Sequence, residues 1–321
     1  MISVEQLQQA VEQNIISAQQ KQQLLTLSPA DTLPLNTEGD EQLRFVRSFG
    51  DVFISIGIVL VSLAFNFLEM EGAFYLIPIL VLVATSEWLV RQRRMALPGI
   101  ALFISSVFFI SQAFGEDQLA AGLPSAITIA AASLLYFWRY RVPFSFAGFT
   151  VAVIFACYHL LGLSPGDYGL LIGLAVFCVA MTFDMRDTQR NNRFSDTAFW
   201  LHLLASPLIV HGTMLPIIAM DLGAALTNVI IISMFLVFFA IALLVDRRAI
   251  LVSSLIYLIG VLTQLLLSDA IDIPNGGSLV FIGFGFLVII SGVYWYSFRS
   301  VVYGFLRGTT LANYLPSFEP K

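Results

Sequence analysis

Several of the side chains able to do chemistry in this sequence, among them all three histidines, stand inside long apolar runs, where a polar group needs a partner, water or a cavity. Asn66, Gln112, His159, His211 and Gln264 each fall in the last turn or so of such a run, and Asn228 stands at the start of another. Because successive runs alternate in direction, all six are expected at a similar depth, near the face opposite the arginines. Helix ends that meet water tolerate amides and imidazoles, so this layer reads either as headgroup contact or as the wall of a polar cavity. A histidine in such a wall could couple binding to pH, because its proton comes and goes near neutrality. A second group, His202, Ser206 and Thr213, shares one helical face beside Pro207, which removes a backbone hydrogen bond and frees the carbonyl of Leu203. A kinked helix with a polar stripe can line a cavity, although prolines in spans also simply bend them. The candidate substrate-binding set is therefore Asn66, Gln112, His159, His202, Ser206, His211, Asn228 and Gln264.

The same residues argue against other chemistry. His202 and His211 are nine positions apart, on opposite faces of one helix, and cannot share a metal. No HExxH, GxSxG, Walker or dinucleotide motif is present, so neither an enzyme nor a cofactor or metal is expected. Cys157 and Cys178 lie in apolar runs with no CxxC pair and read as small packing residues. Gly169 and Gly173 form a GxxxG, which lets two helix backbones approach closely; Gly283 and Gly285 suggest another close or flexible point. Glu87 stands four residues before Arg91 and predicts an ion pair along one helix face.

The elements that must position these groups are membrane spans. Apolar residues make up 58% of the chain and charged residues 12%, with a mean hydropathy of +0.85, whereas a soluble domain carries roughly 25% charged residues. Basic residues occur in short clusters beside apolar runs rather than on a phosphate-binding face, so nucleic acid is not an expected partner. Ten runs are long enough to cross a hydrocarbon core of about 30 Å: 51–68, 73–90, 96–114, 120–138, 143–163, 166–183, 197–214, 223–245, 249–268 and 277–297. Drawn as ten spans, they put all the arginines from Arg44 to Arg307 on one side. The opposite loops carry Glu69, Glu71, Glu116, Asp117, Asp167, Asp221, Asp269 and Asp272 and no lysine or arginine. The positive-inside rule makes the arginine side cytoplasmic, with both termini there, and Trp88, Trp138, Trp200 and Trp295 are expected at that edge.

Outside the spans, residues 1–28 predict a small cytoplasmic helical hairpin, with Ser3/Gln6 and Ser17/Gln20 as capping boxes and Pro29 as its stop. Residues 29–50 read as an acidic linker and the approach to the membrane, 51–297 as the ten-helix domain, and 298–321 as a cytoplasmic tail lying on the interface. The first forty residues lack a basic segment followed by an apolar core, so no cleavable signal peptide is expected.

The stretch Asn14-Ile15-Ile16-Ser17-Ala18-Gln19-Gln20 before a short leucine-rich helix, with Asn66-Phe67 and Ser111-Gln112-Ala113-Phe114 at span ends, resembles a family of bacterial predicted multi-span membrane proteins of unknown function. That family's short N-terminal cytoplasmic helical segment implies the same architecture here, in a bacterial inner membrane, and implies no activity. The chain is also similar in length and span count to drug/metabolite transporters, although the glutamate common near the ninth span of that superfamily is missing and Gln264 is the nearest polar residue. Two functional readings follow. The leading one is transport or binding of a small molecule through a polar cavity near the extracytoplasmic side. The alternative is a non-transporting scaffold or regulatory component that docks a protein partner through the N-terminal hairpin.

Overall fold

A computed structural model describes residues 8, 10–13, 15–26, 48–68, 70–114, 122–163, 165–187, 193–266, 276–305 and 308–309, and every regular element among them is helical. The chain divides into two compact units, 1–42 and 43–321. In the first, helix α1 (Ala18–Thr26) begins at a capping box: Gln20 N–H donates to Ser17 Oγ at 3.1 Å, and Ser17 N–H donates to Gln20 Oε1 at 2.8 Å. This is the second of the two expected capping boxes; the first, like most of the predicted linker, lies outside the described residues.

The second unit is a helical bundle. Its elements are α2 (Phe49–Asn66), α3 (Leu76–Ser86), α4 (Ala96–Gln112), α5 (Gly122–Tyr140), α6 (Pro143–Leu161), α7 (Pro165–Met185), α8 (Arg193–Ala219), α9 (Ala224–Val245), α10 (Ala249–Leu266), α11 (Gly276–Val293) and α12 (Trp295–Gly304). Each predicted apolar run falls on a helix. Among the described residues, six helical stretches, Phe49–Asn66, Gly72–Gln92, Pro143–Leu161, Gly166–Met185, Arg193–Ala219 and Ala224–Val245, are long and apolar enough to cross a membrane, and the bent pair α11–α12 would make a seventh. Apolar side chains such as Phe53, Leu80, Leu171, Val229 and Phe281 are exposed on them, as a lipid environment requires.

Sequence punctuation explains most boundaries. Pro143 opens α6 at its first turn, where the missing N–H is an orphan anyway, and Gly162 closes it with φ +68°. Arg94, Arg141, Asp221 and Asp246 adopt the same left-handed geometry after α3, α5, α8 and α9, so these four helices are ended without glycine. Two boundaries differ from expectation. Helix α8 passes through both Pro207 and Pro216 and ends at Ala219 rather than near residue 214. The tenth predicted span is broken at Tyr294, where α12 departs from α11 at 67°. The cause is polar: Trp295 and Arg299 of α12 are drawn to the end of α9, as described below.

Two apolar clusters organise the bundle. One centres on Leu102, Phe103, Phe109 and Tyr136, from α4 and α5; the other on Leu201, Val210, Met214, Leu243 and Trp295, from α8, α9 and α12. Helices α7 and α8 form the closest contact. A Cβ added at Gly173 would lie 2.8 Å from the backbone nitrogen of Ile209, and one at Gly212 would strike the backbone of Leu170. The Gly169–Gly173 pair thus works as its spacing implies, and Gly212 is its counterpart on α8.

Candidate functional site

At one end of α7 and α8 a carboxylate is buried with its partners. Asp184, 2% exposed in the last turn of α7, accepts from Arg247 through both oxygens, with Nε 3.3 Å from Oδ2 and Nη2 on Oδ1. His202 of α8, wholly buried, has Nε2 2.8 Å from Asp184 Oδ2. Because the carboxylate already accepts from the guanidinium, the imidazole is the donor in this contact. Arg247 Nη2 also donates to Ser195 O and Oγ, both at 3.2 Å, and Ser195 N–H donates to Asp187 Oδ2 at 3.4 Å. The edge of the His202 ring meets Phe177 with centroids 5.0 Å apart. A bidentate guanidinium–carboxylate pair matches the fork geometry of both groups and ties α7, α8 and the α9–α10 turn together.

A second carboxylate, Asp246, caps α9 and accepts from Trp295 Nε1 at 2.7 Å, with Arg299 Nη1 3.5 Å from its Oδ2. Arg299 Nε also donates to Leu243 O at 3.2 Å, and the Arg248 guanidinium lies over the Trp295 ring. Trp295 is therefore buried at 1% exposure, in contrast to the headgroup position expected of it; Trp88 and Trp138 are exposed. The predicted Glu87–Arg91 pair forms at 3.1 Å, and Glu87 also accepts from Arg139 at 3.0 Å and Tyr140 at 3.1 Å.

Of the two buried clusters only His202 is among the expected site residues, but the sequence holds a signal for their carboxylates. Asp184, Asp187, Asp196 and Asp246 lie on the arginine side of the chain, where acids need cationic partners at close range.

A cavity of about 580 Å³ opens where the two apolar clusters meet, between α4, α5, α6 and α8. Its longest wall is one face of α6: Phe144, Gly148, Ala152, Phe155 and His159. Phe103 and Val107 of α4, Ser125 and Ile129 of α5, and Trp200 and Leu204 of α8 complete it. The small residues matter: a Cβ at Gly148 would sit 2.5 Å from Phe103 Cζ, so glycine lets that ring lie against α6. The Phe144 and Trp200 rings meet edge to face, with centroids 4.8 Å apart, and close one end. The lining is apolar apart from His159, Ser125 and the indole of Trp200. Ser125 donates to Gly122 O and so spends its proton locally.

The eight candidate residues are distributed as follows. His159 lines this cavity and is exposed. His202 and Ser206 are buried, the first on Asp184 and the second donating to the His202 carbonyl. Asn228 is buried on α9 and Gln112 is half-buried at the end of α4. Asn66, His211 and Gln264 are exposed, and His211 Nδ1 meets Tyr257 OH. Cys178 is exposed as well, on the outside of α7 rather than packed between helices. Among the described residues no three histidine, cysteine, aspartate or glutamate side chains are grouped to hold a metal ion.

The chain matches no family model, no curated protein and no solved structure.

Proposed function

We propose that the chain is a ten-span protein of a bacterial inner membrane, with both termini cytoplasmic, that binds or transports a small molecule taken up between α4, α5, α6 and α8. The observation that carries this reading is the 580 Å³ cavity, of ordinary ligand-site size, with the His159 imidazole on a largely apolar wall. Its lining departs from the polar cavity expected of the sequence and favours a molecule that partitions into lipid over a water-soluble ion. Helix α8 carries Trp200 and Leu204 on the cavity face and His202 on the buried ion cluster, so occupancy and the cluster bear on one rigid element.

Orientation is supported by the arginines that follow α3, α5 and α9, at Arg93, Arg94, Arg141, Arg247 and Arg248. In a background lacking Cys157 and Cys178, a cysteine at Asp221 should react with an impermeant thiol reagent in intact cells and one at Gln92 should not. The reverse pattern would overturn the orientation.

The binding reading is tested by native mass spectrometry of the protein released from bilayer discs. Wild type should carry a small molecule that the plugging variant Ala152→Phe lacks; equal retention by both would remove the cavity as the site. The scaffold alternative has its own support in the separate unit 1–42 with its capped helix α1, and deletion of residues 1–42 would then abolish a protein association without affecting that bound molecule.

A further inference from the structure

The shape of the cavity narrows its ligand to one chemical class. Phe144 and His159 stand at opposite ends of the α6 wall, and a helix rise of about 1.5 Å per residue separates them by about 22 Å. Over that length the cavity is an elongated, partly open slot along α6 rather than a round pocket. It is also longer than a single leaflet, whose depth is about half of the ~30 Å core. The walls offer hydrocarbon throughout, and the one titratable side chain among them is at the end away from Trp200. His159 is exposed there in the last turn of α6, its ring beside that of Tyr158 with centroids 5.1 Å apart.

We propose that the slot holds one single-chain amphiphile drawn from the bilayer, its tail lying along α6 toward Trp200 and its polar head hydrogen-bonded to His159. This rests on the reading of the cavity as a ligand site and adds both the class and the direction of the ligand. An imidazole can donate to or accept from a carboxylate, phosphate or hydroxyl head, so long-chain fatty acids and lysophospholipids share the required chemistry.

Trp200 at the tail end supplies the readout. The full-length protein in bilayer discs of diacyl lipid is titrated with two long-chain fatty acids, one brominated near the methyl end and the other near the carboxylate, and with the matching brominated lysophospholipids. The contribution of Trp200 is the fluorescence difference between wild type and Trp200→Phe. Saturable quenching of that component by the methyl-end probes, at least twofold stronger than by the head-end probes, is expected. Ala152→Phe should abolish it, and His159→Leu, which leaves the slot open, should weaken apparent affinity at least threefold. Fatty acid and lysophospholipid arms that differ in saturation identify which head the site prefers. Quenching that rises without saturation, or equally from both bromine positions, would overturn the proposal by reducing it to bilayer partitioning. The position comparison needs only wild type and Trp200→Phe, so it stands even if Ala152→Phe does not fold. Loss of a co-purified molecule in Ala152→Phe without saturable quenching in wild type would leave the site standing and remove the amphiphile. Failure of both would remove the site itself.

Discussion

Along α7 and α8, the glycines at 169, 173 and 212 are met by the backbone of the opposite helix; along α6, Gly148 is met by the Phe103 ring and by Ser133 Oγ, side chains rather than backbone, beside the cavity that Ala147 and Ala152 help to line. The same kind of residue closes one seam and leaves the other as a slot. The difference lies in what faces it. Gly212 sits opposite the Leu170 backbone, so the two helices lie in direct contact, and the buried Asp184–Arg247–His202 cluster fastens them at one end. Opposite Gly148 of α6 stands the Phe103 ring of α4, and at one end Trp200 of α8 packs on Phe144. Small residues thus mark helix-to-helix contact where the facing backbone comes in, as at Ile209 and Leu170, and only a side-chain contact where a ring stands opposite, as at Gly148.

The seam is expected to be the more costly region to disturb. Replacing Arg247 with methionine leaves Asp184 buried without its guanidinium and should destabilise the protein by about 3–5 kcal/mol in an unfolding titration. Adding Asp184→Asn to that variant should recover part of the loss, because both charges are then gone. A double variant no better than Arg247→Met would mean that packing, rather than the unpaired charge, sets the cost.

How much of this was legible in sequence follows from the range of each interaction. The helices could be placed because an apolar run of span length reports on its own environment, and the Glu87–Arg91 pair because both partners lie on one helix. Gly169 and Gly173 announced a close contact, but Gly212, which receives it, could not be picked from the sequence. Asp184 and Arg247 are 63 positions apart, and Asp246 and Trp295 are 49 apart. Only the packing of α7 against α8 and of α12 against α9 makes these pairs, and local pattern does not encode it. The slot was illegible for the same reason: it is a space between four helices, and of its lining only His159 carried a sequence signal.

Gly212→Ala comes next in expected effect. Its Cβ has no room against the Leu170 backbone, and overpacking of this kind costs about 1–3 kcal/mol. An unchanged melting temperature would show that α7 and α8 can separate freely. Smaller still is Glu87→Gln, which weakens the links to Arg91 and Arg139. Its side chain is 34% exposed and its ion pairs are screened by solvent, so the smallest of the three losses is expected. A loss as large as that of Arg247→Met would mean that the two carboxylate clusters do not differ in the way their burial implies.

The most direct test of a closed seam beside an open ligand slot is the shift in melting temperature produced by a saturating long-chain fatty acid in bilayer discs, measured for wild type, Gly212→Ala and Ala152→Phe. Wild type and Gly212→Ala should show the same upward shift from different starting temperatures, and Ala152→Phe should show none. An equal shift in Ala152→Phe would place the ligand elsewhere and contradict the assignment of the slot.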